Sequence, residues 1–268
     1  MKLKSLFALA AATIAAAAFV TSCDDADNDF HQFYWQGTHN NNALIVYADQ
    51  TEDSIKVTST DTWTYTCESD WMQMSVNGKP APDTLVVRKG YIDRSRATFT
   101  FTPNTTGQER TATFTLTNPT KHIGSFSPVF TQKPYLNISL PVYDSTTGTF
   151  TLKNINSEGL YSATTKDGVT LTAKPVITFT VYADGAELTG FDDCDWLTHT
   201  LSPADIRKNV LCTDTLKVSR NTTGHQRSVT LTLKSNGVST PITVVQNYVW
   251  RYITIYCKPL NATSKRKH

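Results

Sequence analysis

From Arg110 to Thr117 the chain alternates, with Ala112, Phe114 and Leu116 on one side and Thr111, Thr113, Thr115 and Thr117 on the other. A period of two is what a half-buried strand requires, because successive side chains point to opposite faces of a sheet. Ser228 to Lys234 repeats the pattern with Val229, Leu231 and Leu233 on the apolar side. The same reading predicts strands at Ser54 to Thr58, Trp63 to Cys67, Ala97 to Thr102, Thr149 to Leu152, Val176 to Tyr182 and Thr215 to Ser219. Trp63, Tyr65 and Cys67 share one strand face and are expected in a core. Asn236-Gly237 between two alternating runs predicts a two-residue hairpin. Only Ser202-Pro203-Ala204-Asp205 reads as a helix start, an N-cap followed by proline, with room for little more than two turns before Asn209. The expected class is all-β, and 44 threonines alternating with Val, Ile, Phe and Leu agree with it.

The chain also repeats itself. Asn104-Thr105-Thr106-Gly107-Gln108-Glu109-Arg110 recurs as Asn221-Thr222-Thr223-Gly224-His225-Gln226-Arg227, and the strand after each matches too. Upstream, Asp70-Trp71-Met72 returns as Asp195-Trp196-Leu197; downstream, Phe130-Thr131-Gln132 returns as Val244-Val245-Gln246. The spacing drifts between these matches, which places loops of unequal length between common strands. Because they recur, Trp71 and Trp196 are expected to be core residues.

The order of these pieces resembles the BACON domain, the Bacteroidetes-associated carbohydrate-binding often N-terminal family. The pieces are a polar strand carrying Trp63, then Asp-Trp, a turn, Arg-x-Ala/Val-x-Phe/Leu-x-Leu, and a strand ending in Gln132 or Gln246. The resemblance implies two tandem immunoglobulin-like β-sandwich domains, at 43–134 and 135–248, with residues 249–268 left as a C-terminal strand and basic tail. The second copy carries an insertion between Leu152 and Trp196, and the first an extra stretch around Arg88 to Arg96. The family name implies carbohydrate as partner.

The N-terminus reads as an address. Lys2 and Lys4 precede an apolar stretch from Leu6 to Val20, and Val20-Thr21-Ser22-Cys23 resembles a bacterial lipobox. Residues 1–22 are then a lipoprotein signal peptide and Cys23 the lipidated N-terminus, which makes the membrane a partner through the anchor. Asp24-Asp25-Ala26-Asp27-Asn28-Asp29 resembles the export signal of Bacteroidetes surface lipoproteins, so the expected location is the outer membrane, facing the exterior. Residues 23–42 are expected to form a flexible acidic tether. Loss of Lys2 and Lys4 reduces 25 basic residues to 23, equal to the 23 acidic ones. A formally neutral chain with a short basic tail excludes a polybasic nucleic-acid binder.

Catalytic chemistry is not signalled. Five glutamates show no paired arrangement, the six histidines have no metal-ligand spacing, and no Cys-x-x-Cys, His-Glu-x-x-His or Gly-x-Ser-x-Gly occurs. The expectation is a non-enzyme without cofactor or metal. Aromatic rings are natural platforms for sugar faces, and those outside the repeat are the ligand-binding candidates: Phe33, Tyr34 and Trp35 near the tether, Tyr91 in the extra stretch, and Trp250 and Tyr252 after the second copy. Alternatively Trp35 plugs one end of the first sandwich and Tyr252 belongs to an edge strand. Cys194 and Cys212 could form a disulfide on an oxidising export route, or remain buried free thiols. Ser54, Thr84, Ser145 and Thr215 follow aspartates in a pattern resembling the O-glycosylation acceptor of this phylum, or simply start strands after turns. Two functions fit: binding of mucin or polysaccharide at the cell surface, and a spacer or protein-docking module in a surface assembly with no sugar site.

Overall fold

The computed structural model describes residues 30–37, 43–120, 123–192 and 194–249. The chain divides into two compact units, Met1–Pro134 and Tyr135–His268. The described residues of both are all-β and form several sheets.

The strands of the first unit are β1 (Phe33–Gly37), β2 (Ile45–Val46), β3 (Glu52–Ser59), β4 (Trp63–Cys67), β5 (Met72–Val76), β6 (Lys79–Pro80), β7 (Asp83–Leu85), β8 (Asp93–Phe101), β9 (Arg110–Thr117), β10 (Ser125–Phe126) and β11 (Val129–Gln132). They form a five-stranded sheet in the order β1-β3-β8-β5-β6 and a six-stranded sheet in the order β2-β11-β9-β4-β7, with β10 added to β9. The alternation seen in the sequence is the burial pattern: Ala112, Phe114 and Leu116 are buried and the threonines between them are not. Phe99 of β8 meets Phe114 of β9 and Phe130 of β11 at ring-centroid distances of 4.7 Å each, so aromatic packing joins the two sheets into one core. Each such pair contributes about 0.5–1.5 kcal/mol beyond its buried area. Trp63 and Tyr65 lie fully inside, and Cys67 at the strand end is half-buried.

The expected tether to residue 42 needs correction, because β1 pairs with β3 along its whole length, Phe33 opposite Ser59 through Gly37 opposite Ile55. Phe33 is buried against Trp63 and Phe126, at 5.9 and 5.5 Å between ring centroids, and Trp35 packs on the same core. A strand with aromatics at alternate positions buries them; Tyr34, between them, faces outward.

The second unit contains β12 (Asn137–Leu140), β13 (Val142–Asp144), β14 (Thr149–Ile155), β15 (Tyr161–Thr164), β16 (Thr170–Ala173), β17 (Val176–Thr180), β18 (Glu187–Thr189), β19 (Leu197–His199), β20 (Leu211–Val218), β21 (Arg227–Ser235) and β22 (Val238–Gln246). One sheet runs β12-β17-β20-β19 and the other β16-β15-β14-β22-β21-β18, with β13 on β14. Among the described residues each unit has one parallel pairing, β11 with β2 and β22 with β14, and in each the repeated glutamine ends the later strand. The β21–β22 hairpin turns on Asn236 and Gly237, both at positive φ (48° and 77°), as its two-residue loop requires. The insertion in the second copy includes the β15–β16 hairpin, which extends the edge of the larger sheet. The predicted helix is a single 3₁₀ turn, Pro203–Asp205. Ser202 caps it as expected, but Ile206 is already extended, at φ −79° and ψ 110°. Among the described residues no helix is long and apolar enough to cross a membrane.

Candidate functional site

The repeated residues build the same polar lock in both units. Arg110 begins β9 and Gln132 ends β11, and these positions are directly opposite in the ladder. The Arg110 Nε donates to Gln132 Oε1 at 2.8 Å, and its Nη2 donates to the carbonyl of Thr102 at 2.7 Å. In the second unit Arg227 Nε reaches Gln246 Oε1 at 2.8 Å and Nη2 the carbonyl of Ser219 at 2.8 Å. Each guanidinium lies over the repeated tryptophan, 4.7 Å from the Trp71 ring centroid and 4.5 Å from that of Trp196. Burial pulls both guanidinium groups below their ordinary pKa, against the opposing pull of Asp70 on one and of Cys194 and Asp195 on the other. Arginine nonetheless stays charged at physiological pH. Fully buried Asn104 and Asn221 complete the lock, donating to the carbonyls of Gln108 and His225 at 2.8 and 2.9 Å.

The two tryptophans differ in exposure. Trp71 is 7% exposed, with Phe101 against it at 6.0 Å between centroids. Three residues before the repeated asparagine, where the first unit has Phe101, the second has Val218. The missing ring leaves Trp196 half-buried at the side of a cleft of about 380 Å³, where the expectation of a core residue is corrected. Leu160, Pro175, Leu216 and Val218 supply apolar lining, and Glu158, Lys174, Asp195, Thr198 and Lys217 supply polar groups of both signs.

One wall of the cleft is the turn from Asn156 to Leu160. Asn156 Oδ1 accepts from the amides of Glu158 and Leu160 at 3.0 Å each, and Gln246 Nε2 donates to the carbonyls of Asn156 and Ser157 at 3.1 and 3.3 Å. Gly159 permits the approach: its φ is +83°, and a Cβ there would stand 2.1 Å from the Val218 carbonyl oxygen. The lock therefore holds both the tryptophan and the turn that faces it. The aligned repeats carried the signal for this site in the exchange of Phe101 for Val218.

The predicted site residues are dispersed. Tyr34 is 42% exposed on the outer face of β1 and Tyr91 56% exposed, with the Arg88 guanidinium 4.9 Å from its ring centroid. Trp35 is partly buried on the core. Trp250, Tyr252 and Cys23 lie outside the described residues. Among the acceptor candidates, Thr84 is exposed on β7 and Ser145 exposed in a turn, whereas Ser54 and Thr215 are half-buried within strands. The aspartate before Thr215 is committed elsewhere: fully buried Asp214 takes His199 Nδ1 at 2.8 Å and the amides of Thr200 and Leu201 at 3.0 and 2.9 Å.

Cys194 and Cys212 are both buried free thiols, and the disulfide alternative is corrected by register. β19 runs antiparallel to β20 with Leu197 opposite Val218, so Cys194 lies beyond that end. Cys212 is six residues toward the other end, about 20 Å away along the strand, whereas a disulfide requires Cα atoms within about 7 Å. Among the described residues, no group of three or more His, Cys, Asp or Glu side chains could hold a metal ion.

The BACON family model, described as "Putative binding domain, N-terminal", matches residues 61–123 and 189–247. A BACON domain is present in part of the chain. The BACON matches take in Trp71 and Arg110 in the first unit, and Trp196, Arg227 and Gln246 in the second. No curated protein matches the chain. Among solved structures the chain is similar to a Bacteroides ovatus GH5 xyloglucanase in complex with a XXXG heptasaccharide, at 15% identity and a TM-score of 0.29 over 51% of this chain and 30% of that one. It is similar to an endo-fucoidan hydrolase from glycoside hydrolase family 107, at 12% identity and 0.25 over 77% and 27%. It is also similar to a pair of titin Ig tandem domains, at 7% identity and 0.25 over 76% and 92%. The chain thus spans less than a third of the length of either enzyme.

Proposed function

We propose that this chain is a non-catalytic glycan-binding protein of the bacterial outer surface, anchored through Cys23 and contacting sugar at the cleft beside Trp196. Its two units are taken as tandem immunoglobulin-like sandwiches, a reading supported by the shared two-sheet core of the first and the common lock. The observation that carries the binding function is a tryptophan at a repeated position, left half-buried by the exchange of Phe101 for Val218. A flat ring packs on the C–H face of a pyranose while polar neighbours bond the hydroxyls, and carboxylates, ammonium groups and Thr198 Oγ1 are all at hand. About 380 Å³ also lies within the range of small-ligand sites. The lipobox-like leader and acidic run support the location, and exposed Thr84 and Ser145 remain the acceptors proposed for O-glycosylation.

The purified full-length chain, applied to an array of mucin O-glycans and plant and bacterial polysaccharides, is expected to retain a defined subset. Trp196→Ala is expected to lose it. Failure to retain any glycan would remove this reading in favour of the spacer or docking module. That second reading draws support from the lock, because the repeated Arg, Gln and Asn bond inward and so hold the fold itself.

A further inference from the structure

The outer face of the five-stranded sheet in the first unit carries an unbalanced charge. In the registers β1–β3 and β3–β8, Tyr34, Thr58 and Arg94 form one cross-strand row and Gln36, Lys56 and Arg96 the next. Lys56 and Arg96 are therefore directly opposite, with Cβ atoms about 5 Å apart. Arg94 is two residues from Arg96 on the same face, about 7 Å along the strand. All three cations are exposed, and none forms an ion pair with a described residue. Glu52 is the nearest carboxylate on this face of β3, four residues from Lys56 and about 13 Å away. Asp93 adjoins Arg94 in sequence but points to the other face and accepts from Ser95 Oγ at 2.7 Å.

Like charges directly across an antiparallel pair destabilise the free protein. A chain that is formally neutral without its leader has no global excess of base to explain three of them together. An extended anion lying across the strands would satisfy all three at once. We propose that this face binds a linear polyanionic glycan, bearing sulfate or carboxylate, through Lys56, Arg94 and Arg96, with the exposed Tyr34 ring packed along a sugar. Among the described residues of these cross-strand rows, Tyr34 is the one aromatic, whereas sequence-tolerant nucleic-acid binding uses a series of rings to stack successive bases. The inference keeps from the preceding reading only that the chain meets glycans, and lies on the other unit from Trp196, so each can fail alone.

The test is a salt-dependent affinity measurement of the purified full-length chain with heparin, hyaluronan, neutral dextran and single-stranded DNA. Expected are binding to heparin, to hyaluronan or to both, weakening linearly in log salt, and none to dextran. Binding to heparin alone restricts the ligand to densely charged, sulfated chains; binding to both extends it to any regularly spaced anion. Lys56→Gln, Arg94→Gln and Arg96→Gln are expected to cost on the order of fivefold each and about 100-fold together. Their urea midpoints should be unchanged or raised, since repulsion is removed, and Trp196→Ala should bind as the wild type does. The proposal is overturned by absence of binding to both polyanionic glycans, by a triple variant that binds normally, or by DNA binding as tight as heparin binding. It is also overturned if binding emerges only after Asp24, Asp25, Asp27 and Asp29 are changed to asparagine, which would make this acidic segment the occupant.

Discussion

Arg110→Ala removes the centre of the first lock, and its cost can be built from the contacts. Gln132 is fully buried, and its Oε1 accepts from Arg110 Nε at 2.8 Å. Its Nε2 keeps the Thr102 and Tyr47 carbonyls, at 3.2 and 3.4 Å. The substitution therefore strands one buried acceptor, about 1–3 kcal/mol, and removes the guanidinium from Trp71, about 0.5–2 kcal/mol. Water can reach part of the vacated space because Arg110 is half-exposed, so the middle of the combined range applies, about 3 kcal/mol. In urea, with a slope of about 1–3 kcal/mol per molar, the midpoint falls by roughly 1–3 M. A double-mutant cycle with Gln132→Met separates the bond from the stacking: in that background Arg110→Ala should cost at least about 1 kcal/mol less, because no acceptor is stranded. A single-variant cost below about 0.5 kcal/mol, or a coupling near zero, would refute the lock as a source of stability.

Gly159→Ala should destabilise by roughly 3 kcal/mol in a thermal melt, since it adds a backbone collision to positive-φ strain. Gly168→Ala, at nearly the same φ with nothing within 4 Å, supplies the strain alone and should cost about 1–2 kcal/mol; equal costs would count against the close approach. Burial pushes the Cys67 thiol above its ordinary pKa, so iodoacetamide should modify it slowly in the folded chain. After unfolding without reductant, Cys194 and Cys212 should both be alkylated, and protection of the pair would restore the disulfide. The Asp144 carboxyl is held below its ordinary pKa, first by the Thr146 amide that donates to it at 2.9 Å. A depressed folded value means that its stabilisation is present above the unfolded aspartate pKa and is lost as pH falls through the folded one. A carboxyl chemical-shift titration should place its midpoint below that of an unstructured aspartate, and a midpoint at or above it would contradict the turn geometry.

The sheets were legible where one face meets the core and the other meets water. Arg110 to Thr117 shows this most plainly, because every second residue had to be apolar. β1 was harder to read: Phe33 and Trp35 alternate with Tyr34 and Gln36, but five residues beside an acidic run look like a tether until β3 is there to pair with them. Met72 and Met74 in β5 alternate over a run of only five residues, Met72–Val76, too short to stand out as a strand beside the repeated Asp-Trp. The locks were half legible. Recurrence marked Arg110, Gln132, Arg227 and Gln246, but their bonding depends on Arg and Gln meeting across a ladder that local sequence does not specify. Trp196 was misread because recurrence implies equal burial only when the neighbours recur too, and Val218 does not replace the ring of Phe101. Cys194 and Cys212 are close in sequence, yet strand register separates them.

The central claim is that the space opened beside Trp196 is where sugar sits, and filling that space tests it most directly. Val218→Phe restores the ring found at Phe101 and leaves Trp196, Arg227 and Gln246 unchanged. On a glycan array, with isothermal titration of each hit, the wild-type chain is expected to bind and Val218→Phe to bind at least about tenfold more weakly, a loss of about 1.4 kcal/mol, with its urea midpoint maintained or raised. A folded Val218→Phe chain that binds the same glycans as tightly as the wild type would contradict the account.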